Sequence, residues 1–137
     1  MRPFLFFRID MTEQNELLAV VEFLAHNHLR TVYESMGYRV QSEFAVRKAI
    51  SWLRKHRPKV VVADFYFQPD FRDRVSNLES LLATLQSMPE VKTVVLYDPA
   101  HQVALDKVRQ RFRIDAALPV PVQEEALRQA LTALVNA

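Results

Sequence analysis

The 137-residue chain contains no cysteine and only one glycine, Gly37. The absence of cysteine excludes disulfide bonds, thiolate metal sites and a cysteine nucleophile. A dinucleotide-binding fingerprint and a phosphate-binding P-loop both need several glycines, because the backbone must approach the phosphate closely. We therefore expect neither a Rossmann-type enzyme nor a P-loop nucleotidase.

The chain also lacks a strong net charge and a long apolar segment. Its formal net charge is +2 at pH 7, which gives no strong indication of a nucleic acid partner. Segment 4–7 is apolar but too short for a signal peptide or a membrane span. We therefore expect a soluble cytoplasmic domain covering residues 1–137, without a membrane attachment. It is either a whole protein or the first domain of a longer one.

What the chain does contain is a regular alternation of short apolar runs and amphipathic segments. In the run Lys59–Phe65, four small apolar residues precede Asp64, which is typical of a strand covered on both faces. Further strands are predicted at 4–9, 38–41, 92–97 and 114–118. Helices are predicted from Thr12 to about 36, with a break near 26–28 as the alternative, and at 42–56 after a Ser42 cap, 75–89, 98–112 and 123–135.

This order consists of five strand–helix units. Such alternation predicts an α/β fold, in which a five-stranded parallel sheet carries helices on both faces. At this length we expect the flavodoxin-like strand order 2-1-3-4-5. Functional residues should then follow the carboxyl ends of the strands, where Asp64 lies.

Three local patterns resemble the receiver domains of the response-regulator family. Met36-Gly37-Tyr38-Arg39-Val40 resembles the start of the second strand of a receiver. His56-Arg57-Pro58 and the apolar run that ends on Asp64 resemble the approach to the phosphoacceptor aspartate. Pro119-Val120-Pro121-Val122, followed by Glu124, Glu125 and Leu127, resembles the start of the last helix. The resemblance extends over essentially the whole chain.

The resemblance implies a phosphorylation site that this chain keeps only in part. Asp64 aligns with the phosphoacceptor, and Ile9 and Asp10 align with the two acids that hold magnesium. Tyr97 stands where receivers have a serine or threonine, and Val120 where they have a lysine. The resemblance also implies that the Val120–Pro121 peptide bond is cis.

These replacements remove groups on which phosphoryl transfer depends. A hard divalent cation prefers several charged oxygen ligands, and fixed cations neutralise the charge that develops during transfer. We therefore predict a degenerate receiver, or pseudo-receiver, that is not an enzyme and needs no cofactor. The alternative is a weak magnesium site on Asp10 and Asp64, to which Asp98 could contribute unless it only caps a helix.

Other features allow two interpretations each. Arg8 either pairs with a carboxylate near Asp10 or extends to water. The aromatic side chains after Asp64 either pack over the acidic site, which we favour, or form an exposed contact surface; they are Phe65, Tyr66, Phe67 and Phe71. A concentration of cations is interpreted as a solvated face rather than a nucleic acid site; it comprises Arg47, Lys48, Arg54, Lys55, Arg57 and Lys59. The four histidines predict no metal site.

Three hypotheses for function follow. The first is a signalling module that binds a protein partner or a second copy of itself without phosphorylation. In the receiver family the usual surface for this is formed by the fourth helix, the fifth strand and the last helix, and its candidates here are Val103, Lys107, Arg111, Glu125 and Arg128. The second is an atypical receiver, phosphorylated on Asp64 with magnesium. The third is a small-molecule sensor that binds its ligand at the same edge.

Overall fold

A computed structural model of the protein describes residues 15–22, 26–67 and 76–136. The five described strands are β1 (Glu16–Val20), β2 (Arg39–Glu43), β3 (Val60–Asp64), β4 (Lys92–Tyr97) and β5 (Ala116–Pro119). The five described α-helices are α1 (Arg30–Ser35), α2 (Val46–Leu53), α3 (Glu79–Leu85), α4 (Gln102–Arg111) and α5 (Glu124–Val135). Single 3₁₀ turns precede α1 (Asn27–Leu29) and α4 (Pro99–His101).

The strands form one parallel sheet in the order β2-β1-β3-β4-β5. This order confirms the predicted flavodoxin-like architecture. Every residue of β3 is buried, as expected for a strand that lies at the centre of a sheet with helices on both faces.

The core consists of two layers because successive strand residues face opposite sides of the sheet. On one side Val61 and Ala63 of β3 pack with α2, α3 and α4. On the other side Val60 and Val62 pack with α1 and α5. Asp64 is two residues after Val62, so its side chain leaves the strand on the face of the sheet that α1 and α5 cover.

The prediction of a helix from Thr12 to about residue 36 is wrong in its first half. Glu16–Val20 forms β1, and four consecutive residues of it are buried. Leu17 and Val20 therefore face opposite core layers rather than one helical stripe. The predicted strand at 4–9 lies outside the described residues. Helix α1 covers only the end of the predicted helix, and Gly37 follows it with a φ of 92°, a conformation that favours glycine.

Two helix starts also differ from the prediction. Ser42 lies within β2 and does not cap α2, whose N-cap residue is Ala45 and makes no side-chain capping bond. Helix α3 begins at Glu79, later than predicted. Ser76 and Glu79 stabilise this start, because the Ser76 hydroxyl accepts from the Leu78 N–H and the Glu79 carboxylate accepts from the Ser76 N–H. This pattern resembles a capping box, except that the serine hydroxyl accepts the N–H two residues on instead of three.

Candidate functional site at the carboxyl edge of the sheet

Asp64 ends β3 and has no solvent-exposed surface. Its Oδ1 accepts a hydrogen bond of 3.0 Å from the backbone N–H of Glu22. Glu22 follows β1, which is the neighbour of β3 in the sheet. The phosphoacceptor position is therefore tied to the segment after β1 by a bond within the protein.

The carboxylate of Glu22 is also occupied by donors of the protein. Oε2 accepts from the Val46 N–H at 3.1 Å, and Oε1 accepts from the Asn77 amide at 3.0 Å. Val46 is the first residue of α2, where an N–H lacks a partner within the helix and the helix dipole favours a negative charge. Glu22 thus supplies the cap that Ala45 cannot provide.

Asn77 connects these elements from the loop between β3 and α3. Its Nδ2 donates to Glu22 and, at 3.0 Å, to the backbone oxygen of Asp64, while its Oδ1 accepts from the Tyr66 N–H at 2.6 Å. The backbone N–H of Asn77 donates in turn to the backbone oxygen of Tyr66. Because Asn77 is buried and uses both ends of its amide, it joins the ends of β1 and β3 to its own loop.

His26 is buried and lines a pocket together with Leu96 and Val120. Its Nε2 lies 3.4 Å from the backbone oxygen of Val20. Burial lowers the pKa of His26 below its ordinary value; the negative charge of Asp64 and the bond to Val20 oppose this shift, and His28 reinforces it. We therefore expect a neutral imidazole close to the edge at physiological pH.

The assignment of Ile9 and Asp10 to the end of the first strand needs correction. Both residues lie outside the described part of the chain, whereas the strand between β2 and β3 ends at Val20. The acid that follows this strand is Glu22. The proposal that Arg8 pairs near Asp10 also falls outside the described residues.

The possible magnesium ligands among the described residues accept hydrogen bonds from the protein. Within ranges 15–22, 26–67 and 76–136, no three carboxylate, imidazole or thiol side chains are grouped closely enough to hold a metal ion. Both Glu22 oxygens accept hydrogen bonds. Asp98 is exposed, and its Oδ1 caps the turn before α4 by accepting from the Ala100 N–H at 2.9 Å. Asp98 therefore has the capping role predicted for it.

Tyr97 and Val120 lie side by side at this edge. The Val120 N–H donates to the backbone oxygen of Tyr97 at 2.8 Å. Tyr97 packs against the layer of α2, α3 and α4, whereas Val120 packs against the layer of α1 and α5. An apolar group therefore occupies the position at which the resemblance implies a lysine. The Val120–Pro121 bond is cis, as predicted.

The aromatic residues after Asp64 pack against the protein. Phe65 is buried in the core, and Phe67 packs against the same cluster. Tyr66 and Phe67 meet the His101 ring edge to face at 6.2 and 5.8 Å. These contacts join the start of the loop after β3 to the turn before α4, while Phe71 lies outside the described residues.

The predicted basic concentration is a surface on and after α2. The Trp52 and His56 rings stack at 4.1 Å with an angle of 7° between their planes. Among the described residues, only Arg57 of the six cations forms an ion pair, at 3.6 Å with Glu90. Arg47, Lys48, Arg54 and Lys55 are exposed, which agrees with a solvated face.

The five candidates for a partner surface divide into two groups. Val103 is 71 % exposed, and Lys107 and Glu125 are exposed on α4 and α5. Arg111 and Arg128 instead bond to other helices: Arg111 to Glu79 of α3 at 3.1 Å, and Arg128 to Ser35 of α1 at 3.0 Å. Within residues 15–22, 26–67 and 76–136, three of the five candidates therefore make no bond to another helix. Within the described chain, no helix is long and apolar enough to cross a bilayer.

Sequence reasoning missed Glu22, His26 and Asn77. The first two were assigned to the long helix, so neither was considered at a strand end. The spacing of Ser76 and Glu79 was a usable signal for the start of α3, and it would have placed Asn77 next to that start. No local pattern indicates the bond between Asn77 and Glu22, which are 55 positions apart.

Comparisons with solved structures identify the class of fold. The signal receiver domain of an HD domain-containing protein from Pseudomonas fluorescens is similar with a TM-score of 0.74 and 15% identity, over 90% of this chain and 95% of that chain. A response regulator receiver domain protein from Methanospirillum hungatei has a TM-score of 0.69 and 16% identity, and the match covers 90% of this chain and 94% of that chain. The receiver domain of a signal transduction histidine kinase from Syntrophus aciditrophicus has a TM-score of 0.68 and 20% identity, and the match covers 89% of this chain and 90% of that chain.

The chain therefore has the receiver fold, as its sequence motifs predicted. At these identities the likeness is one of fold, and a shared fold does not specify an activity. No protein-family model matches the chain, and no curated protein matches its sequence.

Proposed function

We propose that this chain is a non-catalytic signalling module that uses the receiver scaffold to bind a protein partner without a phosphorylation cycle. The observation that carries the proposal is the state of Asp64. Its side chain is fully buried, and Oδ1 accepts the Glu22 N–H. A phosphodonor could reach the carboxylate only after this bond and the surrounding packing had opened.

The hydrogen bonds around Asp64 support the proposal that the carboxyl edge of the sheet keeps one conformation. Glu22 and Asn77 connect the ends of β1 and β3 to the start of α2. Hydrogen bonds to a charged group are the stronger ones, and two of these bonds end on the Glu22 carboxylate. Donors of the protein therefore stabilise a charge that a metal ion would otherwise neutralise.

A partner surface is a part of this proposal. Val103 is a large apolar side chain that is mostly exposed, and Lys107 lies one turn further along α4. Glu125 is a separate exposed charge on α5, which covers the opposite face of the sheet from α4. An exposed apolar side chain beside a charged one is typical of a protein contact, so we propose the exposed face of α4, together with Glu125 across the edge of the sheet, for a partner or a second copy of the chain, in the cytoplasm.

The experiment that tests the absence of a phosphorylation cycle is intact-mass measurement after incubation with acetyl phosphate and magnesium. The matched control is Asp64→Asn, because the amide oxygen of asparagine can still accept the Glu22 N–H. An active receiver domain in a parallel reaction verifies the phosphodonor. We expect no mass gain in either form of this protein. A gain of one phosphoryl group that Asp64→Asn abolishes would support the alternative, a receiver phosphorylated on Asp64.

A further inference from the structure

Residues 44–63 concentrate positive charge on one part of the surface. They hold six of the chain's 18 lysines and arginines and none of its 16 acids. Since the formal net charge of the whole chain is only +2, the remaining residues are net negative. Within the described ranges, Arg57 is the only one of the six cations that pairs with an acid, Glu90. The other positive charges are unbalanced, and they repel one another.

Part of this basic surface is a groove of about 590 Å³. Glu43, at the end of β2, contributes to its wall, and the rest of the wall comes from α2 and the turn that follows it. Lys48, Ser51 and Trp52 share one face of α2, and Lys55 extends that face beyond the end of the helix. The two lysines are exposed, so their ammonium groups are available to an anion in the groove.

Trp52 and His56 give the groove a fixed aromatic wall. Their rings stack at 4.1 Å with an angle of 7° between the planes. Nδ1 of His56 lies 3.0 Å from the backbone oxygen of Trp52, and because a carbonyl oxygen only accepts, Nδ1 is the donor. The carboxylate of Glu43 already accepts from the Gln41 amide at 2.8 Å. The groove therefore combines a preorganised apolar surface with cations that have no acid beside them.

We propose that this groove binds an acidic segment of a protein partner, with carboxylates next to Lys48 and Lys55 and an apolar side chain against Trp52. Aromatic side chains are enriched in protein interfaces, and opposite charges would relieve the repulsion among the cations. A concave surface suits a peptide better than a flat bilayer. A nucleic acid is a long polyanion, and the net negative remainder of the chain would repel it.

This proposal depends on the proposed function only in naming a protein as the partner. The groove lies on α2 and after it, whereas Val103 lies on α4 and Asp64 ends β3. Phosphorylation of Asp64 would therefore overturn the proposed function without deciding whether the groove binds an acidic segment.

The test uses a synthetic peptide with leucine at every fourth position, glutamate elsewhere and blocked ends. The matched control peptide has glutamine in place of every glutamate. Calorimetry measures binding, and the emission of Trp52 locates it, because Trp52 is the only tryptophan of the chain. We expect saturable heat and a change in emission with the same midpoint. The glutamine peptide should bind at least about tenfold more weakly, since it cannot form the surface ion pairs.

Charge reversals on the protein complete the test. Lys48→Glu and Lys55→Glu should each weaken binding of the acidic peptide at least about fivefold. Arg109→Glu, at an exposed position of α4, changes the net charge equally and should alter binding less than about twofold.

Four results would each overturn the proposal. They are no saturable heat with the acidic peptide, equal binding of the two peptides, lysine variants that bind like Arg109→Glu, and an emission change that does not follow the heat. Oligothymidylate of the same length is added as a competing polyanion. If it binds more tightly than the acidic peptide, the occupant is a nucleic acid and the proposal is wrong.

Discussion

Replacing Asn77 by alanine should destabilise the protein by about 3 kcal/mol. The change removes three hydrogen bonds: one to the Glu22 carboxylate, one to the backbone oxygen of Asp64 and one from the backbone N–H of Tyr66. A bond to a charged group contributes about 1.5–3 kcal/mol, and a neutral one contributes about 1 kcal/mol. The sum is reduced because Glu22 and Tyr66 are only half-buried, so water can replace part of what is lost. For a domain of this size we expect Tm to fall by about 10 °C.

The assay is urea unfolding followed by circular dichroism, with the free energy of unfolding obtained by linear extrapolation. Asn136→Ala is the matched control, because Asn136 is exposed and its replacement should change stability by less than about 0.5 kcal/mol. Asn77→Asp keeps an acceptor for Tyr66 but places a second carboxylate beside Glu22. It should therefore be no more stable than Asn77→Ala at pH 7. An Asn77→Ala variant as stable as the Asn136→Ala control would refute the reasoning.

Three further predictions concern other parts of the molecule. Tyr33→Phe should stabilise the protein by about 1 kcal/mol, because the fully buried hydroxyl of Tyr33 has no hydrogen-bond partner in the described structure and burial raises its pKa. The free energy of unfolding should fall as pH drops from 7 to 5. Burial lowers the pKa of His26; the charge of Asp64 opposes this shift and His28 reinforces it. In this pH range the unfolded chain therefore binds a proton that the folded state does not. Val103→Ser should change stability by less than about 0.5 kcal/mol, because Val103 is exposed, yet weaken self-association or partner binding.

Each of these three has a direct measurement. Urea unfolding at pH 7 measures the tyrosine effect, and a loss of stability there would contradict it. Unfolding at several pH values measures the histidine effect; the fall should begin near the unfolded pKa of about 6.5, and His26→Leu should reduce it. Analytical ultracentrifugation over a concentration series measures self-association. A dimer that Val103→Ser leaves unchanged would exclude Val103 from its interface.

The general fold could be predicted because its signals are local and repeat along the chain. The run at β3 is uniformly apolar, and Gly37 stands where a helix must end with positive φ. The cis bond at Pro121 was likewise implied by a short motif. Parallel sheets with covering helices have few allowed topologies, so correct identification of most units was enough to determine the strand order.

The first unit was misplaced because two apolar segments compete for the same role. Segment 4–9 is as apolar as Glu16–Val20, and Leu17, Val21 and Leu24 recur at helical spacing. A central strand is buried on both faces and therefore has no alternation to distinguish it from a helix segment. The sheet decides the matter, because Leu17–Val20 pair with both β2 and β3.

The candidate site was predicted at the correct edge but with incomplete membership. Asp64, Tyr97 and Val120 could be found because each lies at a predicted strand end or next to a motif. Glu22 became visible only once β1 was known. Asn77 depends on contacts between distant segments, and the burial of His26 depends on the packing around it, so neither had a signal in the sequence.

The most direct test of the closed edge around Asp64 follows the Glu22 amide by NMR. Magnesium and beryllium fluoride, which together imitate a phosphoryl group bound to an aspartate, are added to ¹⁵N-labelled protein. Because Asp64 already accepts the Glu22 N–H, our account predicts that the Glu22 and Tyr97 amides keep their positions. Saturable shifts of both amides that disappear in Asp64→Asn would contradict it.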